Sequence, residues 1–122
     1  MEILTVACTV VLAIAVLGTG LPKVTLRGPT WTALRDRGLS PARVRFIGAA
    51  ELAGSVGLVA GHFQWHIGVA AATGLLVLFA SAVVFHVKYG DFGNPDASTP
   101  AWTAFILAHL AAVVIALLLL TN

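Results

Sequence analysis

The sequence predicts an all-α integral membrane protein: one domain, a bundle of four transmembrane helices with both termini on the non-cytoplasmic side. Three observations predict it. Of 122 residues, 59% are hydrophobic and only 10% are charged, against about 25% charged in an ordinary soluble domain. Mean hydropathy over the whole chain is +0.98, so the polar surface is too small to cover a soluble globule. The Lys and Arg residues, seven in all, are confined to two of the connections between apolar segments and the ends that flank them. At about 20 apolar residues per helical span, the chain holds four spans with short connections and has no room for a second, soluble domain.

The first segment is expected over about Ile3 to Leu21, stopping at Pro22. It lacks a basic leading region and exceeds the length of a signal-peptide core, so it reads as a retained helix. The second runs over about Pro41 to Ala60, the third over Ile67 to Val87 and the fourth over Pro100 to Leu120. No segment alternates with period two, and Ala and Leu dominate over β-branched residues, which argues against strands. A helix also satisfies its own backbone in lipid. Ser40-Pro41 and Thr99-Pro100 each offer an N-cap hydroxyl followed by a proline with no N–H to lose. Gly61, Gly18 and Gly20 fall where the chain is expected to turn.

The second segment is the least hydrophobic. It carries Glu51 among small residues, with Gly57 and Gly61 forming GxxxG. Small residues let helices approach closely. Tight packing within the monomer is the expectation, and a dimer face is the alternative. Between the first two segments, Thr30 to Gly38 predicts two turns of helix at the membrane surface, with Trp31 and Leu34 on one face and Gly38 ending it.

The first connection and its flanks hold Lys23, Arg27, Arg35, Arg37, Arg43 and Arg45, and the third begins with Lys88. The connection Gly61 to His66 has no Lys or Arg. The positive-inside rule makes the first and third connections cytoplasmic. Trp65 and Trp102 sit where interfacial aromatics are expected. A net charge of +2 and a pI near 9.2 therefore report topology and not a nucleic-acid partner.

Ionisable groups inside a span are costly and point to function. Glu51 lies ten residues past Pro41 and His109 nine past Pro100. At 1.5 Å per residue both stand ~14–15 Å from the cytoplasmic helix start, so an acid and an imidazole are expected at one level. Below them Lys23, His86, Lys88 and Asp91 make a polar rim. Lys23 and Lys88 also fit simple snorkelling anchors. The two His86 and His109 levels differ by about 10 Å of helix rise, which excludes a haem between them. His62 and His66 lack an acidic or cysteine partner, so no metal is expected. The lone Cys8 rules out an intrachain disulfide. No phosphate loop, nucleophile elbow or zinc pattern is present.

Three stretches, Gly20 to Lys23, Ile47 to Leu58 and His86 to Asp91, together resemble the DoxX-like family of small four-helix membrane proteins. The resemblance extends in length and spacing over nearly the whole chain. It implies a multi-pass protein of the bacterial inner membrane, with Lys23, Glu51, His86, Lys88 and Asp91 matching the family pattern; His109 enters on depth alone. Some relatives look like subunits of thiosulfate:quinone oxidoreductase or of membrane complexes linked to sulfur and oxidative-stress metabolism. Related eukaryotic proteins look like assembly factors for membrane receptors. This chain has no cysteine pair or metal pattern, which departs from independent redox catalysis. The expectation is a non-catalytic or redox-linked subunit of a membrane oxidoreductase complex, with quinone or lipid in a polar pocket near the cytoplasmic side. Quinone is the only cofactor implied. Partners would be the bilayer, other membrane proteins or a second copy. The alternatives are a scaffold or assembly factor and, if oligomeric, a small transporter.

The topology is tested by single cysteines in a Cys8→Ser background. Arg35→Cys and Lys88→Cys should react with an impermeant maleimide from one face, and His62→Cys from the other. Labelling of Arg35→Cys and Lys88→Cys from opposite faces would overturn it.

Overall fold

In the computed structural model, which describes residues 2–122, the chain is all helix and turn, with no strand among the described residues. Helix α1 is Ile3–Thr25, α2 Gly28–Asp36, α3 Pro41–Ala60, α4 Trp65–Lys88 and α5 Ser98–Leu120; a short 3₁₀ turn, Asp91–Gly93, precedes α5. Helices α1, α4 and α5 are each long and apolar enough to cross a membrane. Helix α3 is the odd one: Arg43, Arg45 and Glu51 interrupt its 20 residues.

Each long helix packs on two others: α1 on α3 and α5, and α4 on α3 and α5. The buried faces follow helical spacing. Thr5, Thr9, Leu12, Val16 and Gly20 form one stripe on α1, and Ala101, Ala104, Leu107, Ala111, Val114 and Leu118 form one on α5. Leu58, Leu75 and Phe79 from α3 and α4 complete the core. The opposite faces expose Ile14, Val56, Val77 and Ile106, apolar side chains that a bilayer solvates. This is a membrane-embedded protein.

The small residues of α3 are spent inside the chain. A Cβ on Gly54 would strike Leu75, one on Gly57 would lie 2.7 Å from Ala71 Cβ, and one on Gly61 would lie 2.6 Å from Gly68 Cα. The GxxxG therefore seats α4. Gly61 has an ordinary helical φ of −61°; it is there for close approach, not for the turn. Gly20 meets Gly48 in the same way. A Cβ on Gly48 would lie 2.8 Å from Gly20 O and from Val24 N, so α1 and α3 touch backbone to backbone.

Two helix ends differ from expectation. Helix α1 does not stop at Pro22 but continues through it to Thr25. The proline sits in the last turn, where its missing N–H costs only one backbone bond. The end is closed by Leu26 in the left-handed region (φ 53°), with Arg27 N–H donating to Pro22 O at 2.9 Å. Helix α5 begins one residue before Thr99, at Ser98, with no side-chain cap. Pro100 thus falls within the first turn, where a missing donor is still free of cost. Ser40 caps α3 as its sequence suggests, accepting from Arg43 N–H at 3.2 Å.

Helix α2 forms where the sequence places a surface helix, starting two residues earlier. Its end is a glycine-closed motif: Gly38 (φ +86°) donates to Arg35 O, and Leu39 donates to Leu34 O at 3.1 Å.

The glycine contact is tested by Gly48→Ala. Forcing the helices apart should cost on the order of 1–3 kcal/mol, read as a lower Tm in detergent. Gly74→Ala, where the added carbon meets nothing within 4 Å, should leave Tm unchanged or raise it. Equal behaviour of the two variants would remove the contact from the account.

Candidate functional site

The site grows from the α1–α3 contact. Lys23 stands one turn past Gly20 on α1 and Glu51 one turn past Gly48 on α3, so both lie on the faces that meet. The helices run antiparallel, with Gly48 opposite Gly20 and Ser55 opposite Ala13, and the long lysine side chain spans the axial offset. Lys23 Nζ donates to Glu51 Oε1 at 2.7 Å. Glu51 is almost wholly buried, and its Oε2 has no hydrogen-bond partner. One turn deeper, Ser55 Oγ donates to Ala13 O at 2.8 Å and ties the same two helices again.

A second ion pair forms on the other side. The left-handed Gly90 (φ +68°) turns the chain after α4 so that Asp91 comes back against His86. His86 Nδ1 lies 2.5 Å from Asp91 Oδ2. Arg37, just past the end of α2, grips the same carboxylate with both Nη atoms at 2.5 Å, the bidentate geometry that makes such pairs strong. The Arg37 guanidinium also lies 4.5 Å from the Tyr89 ring centroid. These hydrogen bonds, chiefly from Arg37, hold the Asp91 carboxyl down to about 2 and raise Arg37 above its ordinary value. Both groups therefore stay charged across the physiological range. The stabilisation is present above the ordinary carboxylate pKa and is lost only as pH falls through about 2.

Between the two pairs lies a cavity of about 680 Å³, walled by α1, α3, α4 and α5 and covered on one side by α2. Its walls are mainly apolar (Ile47, Leu78, Phe79, Ala82, Phe85), with Lys23, Glu51, His86, Arg37 and Asp91 on its lining. Exposure sorts these groups by chemistry. The side chains of Lys23, His86 and Arg37 are 14%, 14% and 20% exposed, whereas Glu51 and Asp91 are each 1% exposed. The carboxylates are almost wholly buried, and the nitrogen-bearing side chains paired with them are partly uncovered.

Of the residues singled out from sequence, Lys23, Glu51, His86 and Asp91 come together on this cavity. His109 does not. It is exposed on the far face of α5, its Nδ1 2.8 Å from Phe105 O and its ring 4.3 Å from that of Phe105. Its depth matches that of Glu51, but Ala104, Leu107, Ala108 and Ala111 define the inward face of α5, and residue 109 lies roughly half a turn away from them. Lys88 also stays out: it is exposed, with Nζ 6.0 Å from the Tyr89 ring centroid, an interfacial position. His62 and His66 are not on one helix, since α3 ends at Ala60 and α4 starts at Trp65. No cluster of metal-ligating groups occurs among the described residues. Sequence reasoning missed Arg37, which it treated only as a topological charge. Its place just before the helix-ending Gly38 was the available signal.

A model of the DoxX-like family matches residues 7–117. No curated protein and no solved structure matches the chain. The fold joins two of the stretches that carry the resemblance, Gly20 to Gly48 and Lys23 to Glu51, and the third closes on itself, His86 to Asp91.

The Lys23–Glu51 pair is tested by a mutant cycle. Lys23→Met leaves a buried charge unpaired and should cost about 3–5 kcal/mol, measured by unfolding in mixed micelles. Adding Glu51→Gln should recover most of that loss. If the double variant is no more stable than the single one, the pair does not hold the two helices.

Proposed function

The chain belongs to the DoxX-like family, and from that premise we propose that it is a quinone-binding, redox-linked subunit of a membrane oxidoreductase complex. In this reading α3 is the fourth crossing of a four-helix bundle in a bacterial inner membrane. Both termini face the non-cytoplasmic side, and the cavity opens towards the cytoplasmic one. Glu51 is tolerable in a span because Lys23 neutralises it. Arg43 and Arg45 lie in the first turns of α3, at the level of a cytoplasmic interface, as the positive-inside rule requires.

The observation that carries the reading is the sorting of charge around the cavity. The partly uncovered groups on its lining are the bases Lys23, Arg37 and His86, while the carboxylates of Glu51 and Asp91 are almost wholly buried against them. Lys23 is matched by Glu51 and Arg37 by Asp91, with the His86 ring sharing Asp91, so the lysine and arginine leave no surplus of positive charge. Asp96 at the mouth adds a further negative group. Such a site favours a neutral head group bearing carbonyl oxygens over a phosphate or carboxylate. Apolar walls over a volume of about 680 Å³ suit a ring of ligand size. A bound quinone supplies the capacity to carry electrons and protons. The residues would supply orientation and desolvation: Lys23 and His86 would hold the carbonyl end, and the apolar lining around Phe79 and Phe85 would keep water from the ring. Glu51 fixes the Lys23 ammonium at the wall.

Native mass spectrometry of gently extracted protein should show stoichiometric quinone. The Lys23→Met, Glu51→Gln double variant should remain folded and lose it. Protein that carries only phospholipid, and takes up no added short-chain quinone, would overturn the reading.

A further inference from the structure

Helix α2 and the Arg37 that follows it contribute a side to the cavity, with Pro29, Ala33 and Leu34 from the helix, yet α2 has no buried residue. Its direct packing is with its chain neighbours α1 and α3. Towards α4 and the turn that follows it, the hydrogen bonds and cation–ring contacts among the described residues are made by Arg37: two hydrogen bonds to Asp91, and ring contacts to Tyr89 at 4.5 Å and Phe85 at 5.6 Å. Both ends of α2 are glycines with positive φ, Gly28 at +84° and Gly38 at +86°, and neither has a neighbour within 4 Å of where a Cβ would stand. A short helix with an uncrowded glycine in the left-handed region at each end and one strong polar tie on its free side has the build of a hinged cover.

We propose that α2 is a lid over the cavity and that the Arg37–Asp91 pair is its latch. The lid swings on Gly28 and Gly38. Release of the latch frees the α2 side of the mouth while α1, α3, α4 and α5 stay packed. His86 holds Asp91 from behind, so the carboxylate remains in place to recapture Arg37. Asp91 keeps its charge down to about pH 2, so protonation of that carboxylate does not release the latch in the physiological range. Opening comes from thermal release or from an acceptor group that competes for the guanidinium. The latch sets how fast the cavity fills and empties, and the walls set how tightly it holds. The identity of the occupant rests on the quinone reading above, but the lid does not.

Two measurements separate these. A cysteine at Ala82 on the cavity wall, in the Cys8→Ser background, reports opening by its rate of maleimide labelling. Asp91→Asn and Arg37→Gln should each speed labelling by about tenfold or more, the factor that loss of a charge-assisted bond carries. The two together should add little to either alone. A cysteine at His62, in the opposite connection, should keep its rate. With a short-chain quinone as probe, kon and koff should rise together while Kd moves far less than either. Unchanged labelling in both variants overturns the lid. A rise in koff alone overturns the latch and makes Arg37 a ligand contact. Faster labelling with no quinone binding at all keeps the lid and removes the quinone reading.

Discussion

A carboxylate buried in an apolar helix has to be neutralised, and the Lys23–Glu51 pair meets that constraint. Placing a carboxylate in hydrocarbon costs several kcal/mol unless it is paired and hydrogen-bonded. The partner comes from another helix, so the pair sets the relative position of α1 and α3. A lysine can span some distance, but a 2.7 Å contact with a side chain that is 1% exposed leaves no gap between the helices for lipid. Gly20 and Gly48 remove the side chains that would hold the backbones apart. The passage of α1 through Pro22 belongs to the same constraint. Had the helix ended at Leu21, Lys23 would sit on an irregular segment, without the one-turn spacing from Gly20 that keeps it on the face of α1 turned towards α3.

The second pair works under a different condition. Asp91 lies in a connection beyond the spans, and its partners arrive from both sides: Arg37 from the end of α2 and His86 from the end of α4. Here the geometry is bidentate and the carboxyl is strongly acidic. The two pairs bracket one cavity, one fixing the wall and the other joining two movable pieces at its rim. In each the acid is hidden and the base is partly uncovered. Lys23 and Arg37 are thus partly uncovered while each stays paired with an acid, so neither charge is stranded in a low-dielectric setting.

Much of this was legible in the sequence because it depends on quantities that run along the chain. Segment length and apolarity marked the long helices, Ser40 marked the start of α3, and Gly38 marked the end of α2. Level along a helix is also a linear quantity, and Glu51 and His109 do lie at comparable distances from their helix starts. What a linear count omits is rotation about the axis. His109 shares the level of Glu51 but faces outward, and reading the small-residue stripe Ala101, Ala104, Ala108, Ala111 as the inward face of α5 would have shown it. Lys88 failed likewise: it ends the same helix as His86 but is two residues on, on another face. Arg37 was hidden for another reason. Its partner is 54 positions away, and a positively charged connection is expected of any membrane protein, so the topological explanation used up the signal.

These two kinds of tie also divide the molecule mechanically. The α1–α3 seam has no play: glycine against backbone, an ion pair one turn along, and Ser55 on Ala13 a turn deeper. The α3–α4 seam is as close, with Gly54, Gly57 and Gly61 each seated against an α4 residue. Motion in such seams requires separating packed backbones, which forfeits many dispersion contacts at once. Motion at α2 breaks one ion pair and rotates about glycines. The free energy to open the site is therefore concentrated in a few atoms at the rim, while the free energy that keeps the helices together is spread over the seams. A ligand can thus be admitted without loosening the buried carboxylate, and the polar group least able to tolerate lipid lies in the part of the protein least able to move.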